Sequence, residues 1–188
     1  MPACASLAVV ASVVALHRSP GHAFSKQSVD ALELIAGVGV TGDVHAGPLV
    51  QHRSRVAVDP TQPNLRQVHL IAAELFDVLA AACHDVRPGD LGENITTRGL
   101  DVHALAVGTV LLVGADALVA ITGLRNPCAQ IERFQAGLLG HVAFRGDDGA
   151  LVRRAGIMGV VVRGGDVAVD DPILASSPPG PGRPLERV

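Results

Sequence analysis

Short apolar runs broken by glycine, aspartate or proline recur along this chain. Val9–Leu16, Ser54–Val58, Thr109–Val113, Ala117–Thr122, Ile157–Val162 and Asp166–Val169 are rich in Val, Ile and Leu and have strand length. Branched side chains fit a pleated, half-buried surface, so each run predicts a β-strand. Gly114-Ala115-Asp116 reads as the hairpin connection between two of them. A different period governs Leu70 to Cys83. There Ile71, Leu75, Val78, Leu79 and Ala82 share one face at helical spacing, with Glu74 and Asp77 off it, which predicts a helix. A shorter helix is predicted after Cys128, through Ile131 to about Leu138, with its break near Gly140.

Many strands, few helices and no strand–helix–strand alternation predict a mainly β (α+β) fold, a closed or nearly closed β-barrel with a few helical insertions. No internal repeat is visible. Residues 1–175 are expected to form a single domain, and 176–188 a Pro/Gly-rich C-terminal tail, extended or mobile. Met1–Leu16 is apolar enough to resemble a secretory leader. It lacks the basic start of one and falls short of the ~20 apolar residues of a membrane span, so no membrane association is expected. The reading adopted is a first strand, Ser6–His17, with a leader peptide as the alternative.

Composition narrows the chemistry. With four Phe and no Trp or Tyr, the core must be aliphatic. A net charge of −3 argues against a nucleic-acid polymer as partner, since such binding rests on neutralising phosphates. Cys4, Cys83 and Cys128 show no CxxC or zinc-finger spacing and read as reduced thiols, hence a cytoplasmic protein. Cys83, ending a helix, is expected to be a packing residue. Of 15 basic residues only Lys26 is a lysine. Pyridoxal phosphate needs a lysine Schiff base, and nothing around Lys26 looks like such a site, so none is expected on this chain. Arginine instead suits phosphates and oxyanions.

Gly37-Val38-Gly39-Val40-Thr41-Gly42 matches a dinucleotide fingerprint, with Asp59 downstream. That motif needs a helix opening at its third glycine. Asp43-Val44-His45-Ala46-Gly47-Pro48 follows and cannot start a long one, so the match is set aside.

Three segments carry candidate chemistry. In Gly42-Asp43-Val44-His45-Ala46-Gly47, with His52 and Arg53 close behind, an extended backbone puts Asp43 and His45 on one side. That pair suits a metal, an acid/base couple or a structural hydrogen bond. In Pro88-Gly89-Asp90-Leu91-Gly92-Glu93-Asn94-Ile95-Thr96-Thr97, a compact polar turn either fixes a polar heterocycle or satisfies its own backbone. In Arg125-Asn126-Pro127-Cys128, a thiol follows a rigid corner beside a permanent cation, a setting that favours thiolate. The alternative for Cys128 is a small buried apolar residue. His17, His22, His45, His52 and His69 crowd one half of the chain and raise a zinc- or iron-dependent hydrolase. With no HxH or HExxH spacing, scattered loop histidines are the preferred account.

Taken in order, these segments resemble the MOSC domain, found at the C-terminus of molybdenum cofactor sulfurases and in stand-alone bacterial proteins. The match runs through Gly42-Asp43 with His45 and Gly47, Gln67-Val68-His69-Leu70-Ile71, and Gly89 to Ile95. It continues through Gly108 and Gly114, Arg125 to Cys128, and Gly164-Gly165-Asp166, covering roughly residues 8–172. The resemblance implies a MOSC-type β-barrel and a pyranopterin molybdenum cofactor with Cys128 as metal ligand. It implies Arg125 or Arg53 at the cofactor phosphate, and Asn94 and Asn126 on the pterin, with Glu93 also lining the site. His45, oriented by Asp43, is the implied proton donor. The implied activity is reduction of N-hydroxylated compounds with electrons from a partner reductase, because no fused electron-transfer domain is seen. The alternative is a non-catalytic carrier of the cofactor, or of sulfur as a Cys128 persulfide, delivering to an accepting enzyme.

Overall fold

The computed structural model describes residues 11–188. Cys4 and the expected strand start at Ser6, with the leader-like segment ahead of it, lie outside the described residues. In chain order the first half comprises β1 (Ala11–Arg18), β2 (Gln27–Val29), β3 (Ala31–Ile35), β4 (Gly39–Val40), α1 (Arg53–Val56), β5 (Val68–Ala72), α2 (Ala73–Ala81) and β6 (Ile95–Arg98). The second half comprises β7 (Val110–Val113), β8 (Ala117–Leu124), α3 (Ala129–Phe134), α4 (Leu138–Val142), β9 (Ala143–Arg145), β10 (Leu151–Arg153), β11 (Ile157–Arg163), β12 (Gly165–Ala168) and β13 (Pro172–Ser176).

Strands β13-β7-β8-β11-β5-β6-β1 are hydrogen-bonded in that order, and β1 pairs back onto β13 to close a seven-stranded barrel. Closure leaves no unpaired barrel edge. The β5–β6 pair is parallel, and α2 makes the crossover that such a pair requires. Strict alternation along β8 turns Ala117, Val119 and Ile121 inward. In β1 a bulge between Val13 and Ala15 shifts the parity, so Ala11 and Val13 above it and Leu16 below it all reach the interior.

The predicted mainly β barrel is therefore present, but several elements differ from the sequence reading. Ser54–Val58 holds the short helix α1 and not a strand, and Val58 is 79% exposed. The helix expected from Leu70 begins at Ala73, because Val68–Ala72 is strand β5. β5 is buried on both faces. Leu70 enters the barrel core, while Ile71 packs outward with Leu75, Phe76, Leu79, Ile131, Leu138 and Val142 in a second core under the helices. A strand buried on both sides loses its alternation and reads as a continuous apolar run. Val78 is exposed, and so is Cys83, which caps α2 at φ +64° instead of packing. The helix after Cys128 breaks at Gly137 (φ +82°), and Gly140 lies inside α4.

The tail is extended but docked. Glu186 O accepts from Leu124 N at 2.7 Å, Arg183 O accepts from Val107 N at 2.9 Å, and Leu185 packs on the barrel core. One glycine sets the approach to the site. At Gly156 (φ +94°) a Cβ would strike the Leu70 carbonyl oxygen and the His69 ring, so only glycine lets β11 begin this close to β5. Its carbonyl in turn anchors Arg125 N at 3.0 Å. Among the described residues no helix is long and apolar enough to cross a membrane.

Candidate functional site

At one end of the barrel, loops leaving β1, β4 and β8 meet the turn that feeds β6. They enclose a cleft of about 340 Å³. Its walls include Phe24, Lys26, His45, His52, Arg53, Arg66, His69 and Arg125, with Gln130 at the start of α3. No aspartate or glutamate lines it, so the cleft is cationic and suited to an anionic ligand.

Beneath the cleft floor lies a buried ion pair. Lys26 Nζ stands 2.6 Å from Asp43 Oδ2, with side chains only 3% and 1% exposed. The same carboxylate accepts from Asn94 Nδ2 at 3.0 Å and Ser19 N at 3.2 Å through Oδ2, and from His45 N at 2.9 Å through Oδ1. Burial alone would raise the Asp43 carboxyl, but the hydrogen bond with His45 and the charge of Lys26 outweigh it. They hold the group well below the usual carboxylate range. Lys26 is shifted the opposite way from a simple ion pair: burial lowers it more than Asp43 raises it. Gly89 O fixes the Lys26 backbone at 2.9 Å, tying this pair to the turn before β6.

Asp43 and His45 do come together, as the spacing predicts, but through a turn in which Asp43 Oδ1 caps His45 N, not through an extended segment. Asp43 Oδ1 also lies 3.2 Å from His45 Nδ1. That contact dedicates Nδ1 to the carboxylate and leaves Nε2 as the nitrogen able to exchange a proton with a ligand. The histidines are not scattered. His45 and His52 stack at 4.3 Å, and His22 meets His45 edge-on at 5.7 Å. Burial, then the charges of His45, Arg66, Lys26 and Arg125, lowers His52 to about 3, so it is neutral at physiological pH. Burial and then Arg125 push fully enclosed His69 well below its ordinary value, and its Nε2 donates to Ala155 O at 2.9 Å. Among the described residues no three His, Cys, Asp or Glu gather in a metal-holding group.

Arg125 leaves β8 with its guanidinium 6.0 Å from the Phe24 ring centroid, and its Nη1 is buried with no hydrogen-bond partner. Glu93 lies in its field below. The Glu93 carboxyl is fully buried, raised by that burial, and its Oε2 is also unpartnered, while Oε1 accepts from Gly89 N and Thr96 Oγ1. Asn94 has no free amide group. Nδ2 donates to His17 O at 3.1 Å as well as to Asp43, and Oδ1 accepts from His69 N. Cys128 is half-buried and stands just outside the cleft lining, and its Sγ donates to Oε1 of cleft-lining Gln130 at 3.4 Å. Asn126, between Arg125 and Cys128 in the chain, is half-buried and outside the lining.

Of the residues named from the sequence, Asp43, His45, Arg53 and Arg125 lie in or beneath this one cleft. Lys26, Arg66 and Phe24 join them without having been named as site residues, and His52 and His69, named beside the Asp43 segment and in the Gln67–Ile71 stretch, also line the cleft. Lys26 carried one signal, being the sole lysine in an arginine-rich chain, but its partner is 17 positions away and no local spacing reveals it.

The MOSC domain family matches residues 41–174, which include most of this barrel and most of the loops of its cleft, and the chain belongs to that family. Membership ties it to molybdenum-cofactor chemistry in general. Similar solved structures agree on the fold. The YuaD protein from Bacillus subtilis is 21% identical, with a TM-score of 0.74 over 90% of this chain and 97% of that one. YiiM from Escherichia coli is 20% identical (TM-score 0.57; 92% and 73% covered), and YiiM from Geobacillus stearothermophilus is 14% identical (TM-score 0.58; 89% and 75%). No curated protein sequence matches the chain.

Proposed function

We propose that the cleft binds a pyranopterin molybdenum cofactor with Cys128 as the protein ligand to the metal. In this reading the protein is the cytoplasmic, terminal component of a system that reduces N-hydroxylated compounds with electrons from a partner reductase. The observation that carries the reading is the pairing on one β8 exit loop of a soft donor, Cys128, with an enclosed cation, Arg125, whose Nη1 lacks any protein partner. A buried guanidinium nitrogen left unsatisfied is costly, and a phosphate or oxo group supplies the missing acceptor.

When bound, the cofactor supplies a centre that delivers an electron pair to an N–O bond. The rest falls to this chain. Arg125, with Arg53 at the mouth, binds the phosphate, and Asn126, outside the present lining but on the same loop, would turn inward to hydrogen-bond the pterin. Asn94 works one step back, bracing Asp43, and Glu93 balances Arg125 from below. Asp43 orients His45, which passes a proton through Nε2 to the departing oxygen. The balance is one N-hydroxyl group, two electrons and two protons giving the parent N–H compound and water. The zinc or iron hydrolase has no three-residue ligand group to stand on among the described residues.

The test is turnover by the molybdenum-loaded protein, with reduced methyl viologen as donor and an N-hydroxylated amidine as substrate. The expected result is amidine formed with two equivalents of viologen oxidised, and a kcat about 100-fold lower in His45→Ala. Full molybdenum loading with no product would instead support the carrier of cofactor or persulfide.

A further inference from the structure

Among the described residues, the arginines at the mouth of the cleft make no ion pair. Arg53 and Arg66 line that mouth. Arg55, two residues further along α1, and Arg187, on the docked tail, lie close enough for their charges to act on Arg66. Arg187 is brought there by its bridge to Leu124, at the end of the strand that leads to Arg125 and Cys128. Three remote segments of the chain thus converge on one rim. Among the described residues the ion pairs are Lys26–Asp43, His45–Asp43, Arg87–Asp85 and Arg98–Asp77, and none involves a rim arginine. Burial chiefly, and then the neighbouring guanidiniums of Arg55, Arg187 and Arg125, lowers Arg66 to about 10.

Like charges held together without counter-ions are unfavourable, and a multiply charged anion relieves them with several forked hydrogen bonds at once. The cofactor phosphate of the preceding section occupies the deep cation, Arg125, with Arg53 in reach. A single phosphate leaves Arg55, Arg66 and Arg187 unanswered. The cleft is also lined by Phe24 and by His45 and His52, whose rings stack on each other, and these aromatic surfaces suit a planar heterocycle.

We propose that Arg55, Arg66 and Arg187 form a second anion site that holds the phosphate of the substrate, so that the substrate is an N-hydroxylated nucleoside 5′-phosphate and not the free base. The inference rests on the reductase reading. It adds to it that the base lies inward along the histidine wall while its phosphate stays at the mouth.

The experiment is calorimetric titration of the full chain, with and without cofactor, using N4-hydroxycytidine, its 5′-monophosphate and inorganic phosphate. The same titrations are run on the double variant Arg55→Ala/Arg187→Ala, in which Arg187 is exposed and Arg55 half-exposed, and neither bonds to Cys128 or the ion pair. The monophosphate is expected to bind about tenfold or more tighter than the nucleoside, with an advantage that shrinks as salt rises. In the double variant that advantage is lost, while nucleoside binding and pterin content stay as in the wild type. Equal affinity for nucleoside and nucleotide in the wild type would overturn the proposal. So would loss of pterin from the double variant, which would assign the rim to the cofactor's own phosphate. An unchanged nucleotide preference with weaker binding of an acidic electron-donor protein would reassign the rim to that partner. The two readings fail separately. Phosphate preference in a protein that never takes up molybdenum leaves the rim site standing and removes the reductase, whereas a loaded protein that reduces nucleoside and nucleotide alike removes the rim site alone.

Discussion

Lys26→Met is expected to cost about 3–5 kcal/mol of folding stability, the penalty for stripping one partner from a buried ion pair. The loss is large because Asp43 cannot retreat to solvent: its side chain is 1% exposed, and its remaining donors are Asn94, Ser19 N and His45. Methionine fills the aliphatic volume of lysine, so packing changes little and the charge carries the effect. Urea denaturation of the wild type, Lys26→Met, Asp43→Asn and the double variant gives the coupling directly. The double variant is expected to be less destabilised than the sum of the two singles by about 1–3 kcal/mol, because neither partner is then left charged and alone. A Lys26→Met loss below about 1 kcal/mol would mean that the pair is solvated and does not hold the floor of the cleft.

Acid is the second large lever. His17 is lowered to about 4, first by burial and then by Lys26, and His69 is pushed well below its ordinary value by burial and then Arg125. Each titrates near 6.5 in an unfolded chain. As pH falls below 6.5, the unfolded chain binds protons that the folded protein refuses, so stability must fall. Well inside the window between 6.5 and 4 the slope is about 1.4 kcal/mol per pH unit for each such histidine, or about 3 for the two together. Half-exposed His52 adds in the same direction. Below 3.8, protonation of Asp43 in the unfolded chain removes stability further, since its folded value is depressed. Urea midpoints measured from pH 7 to pH 4.5 should therefore drop steeply, and His17→Gln should flatten the slope by about one histidine's share. A flat profile from pH 7 to 5 would contradict the burial of these rings.

Strands with clean alternation of burial, such as β7 and β8, were legible in the sequence because burial on one side imposes period two. β5 was not, because its two buried faces erase that period and its run flows into α2. β13 was hidden by Pro172, which is tolerated as the first residue of a strand but reads as the start of a loop. Ser54–Val58 misled in the other direction: its alternating valines have no partner strand and stay exposed. In the site, Asp43 with His45 and Arg125 with Cys128 are near neighbours in sequence, so each pair is visible in the local spacing. Lys26, Arg66 and Phe24 owe their places to chain closure around the barrel end, which no local pattern encodes.

The central claim is that Cys128 holds molybdenum in this cleft. The direct test is molybdenum and pterin content, by elemental analysis and fluorescence of the oxidised pterin, in protein purified from a host that makes the cofactor, beside Cys128→Ala prepared identically. The account predicts near-stoichiometric molybdenum with pterin in the wild type and loss of the metal in the variant. Equal molybdenum in both proteins, or zinc or iron in place of molybdenum, would contradict it.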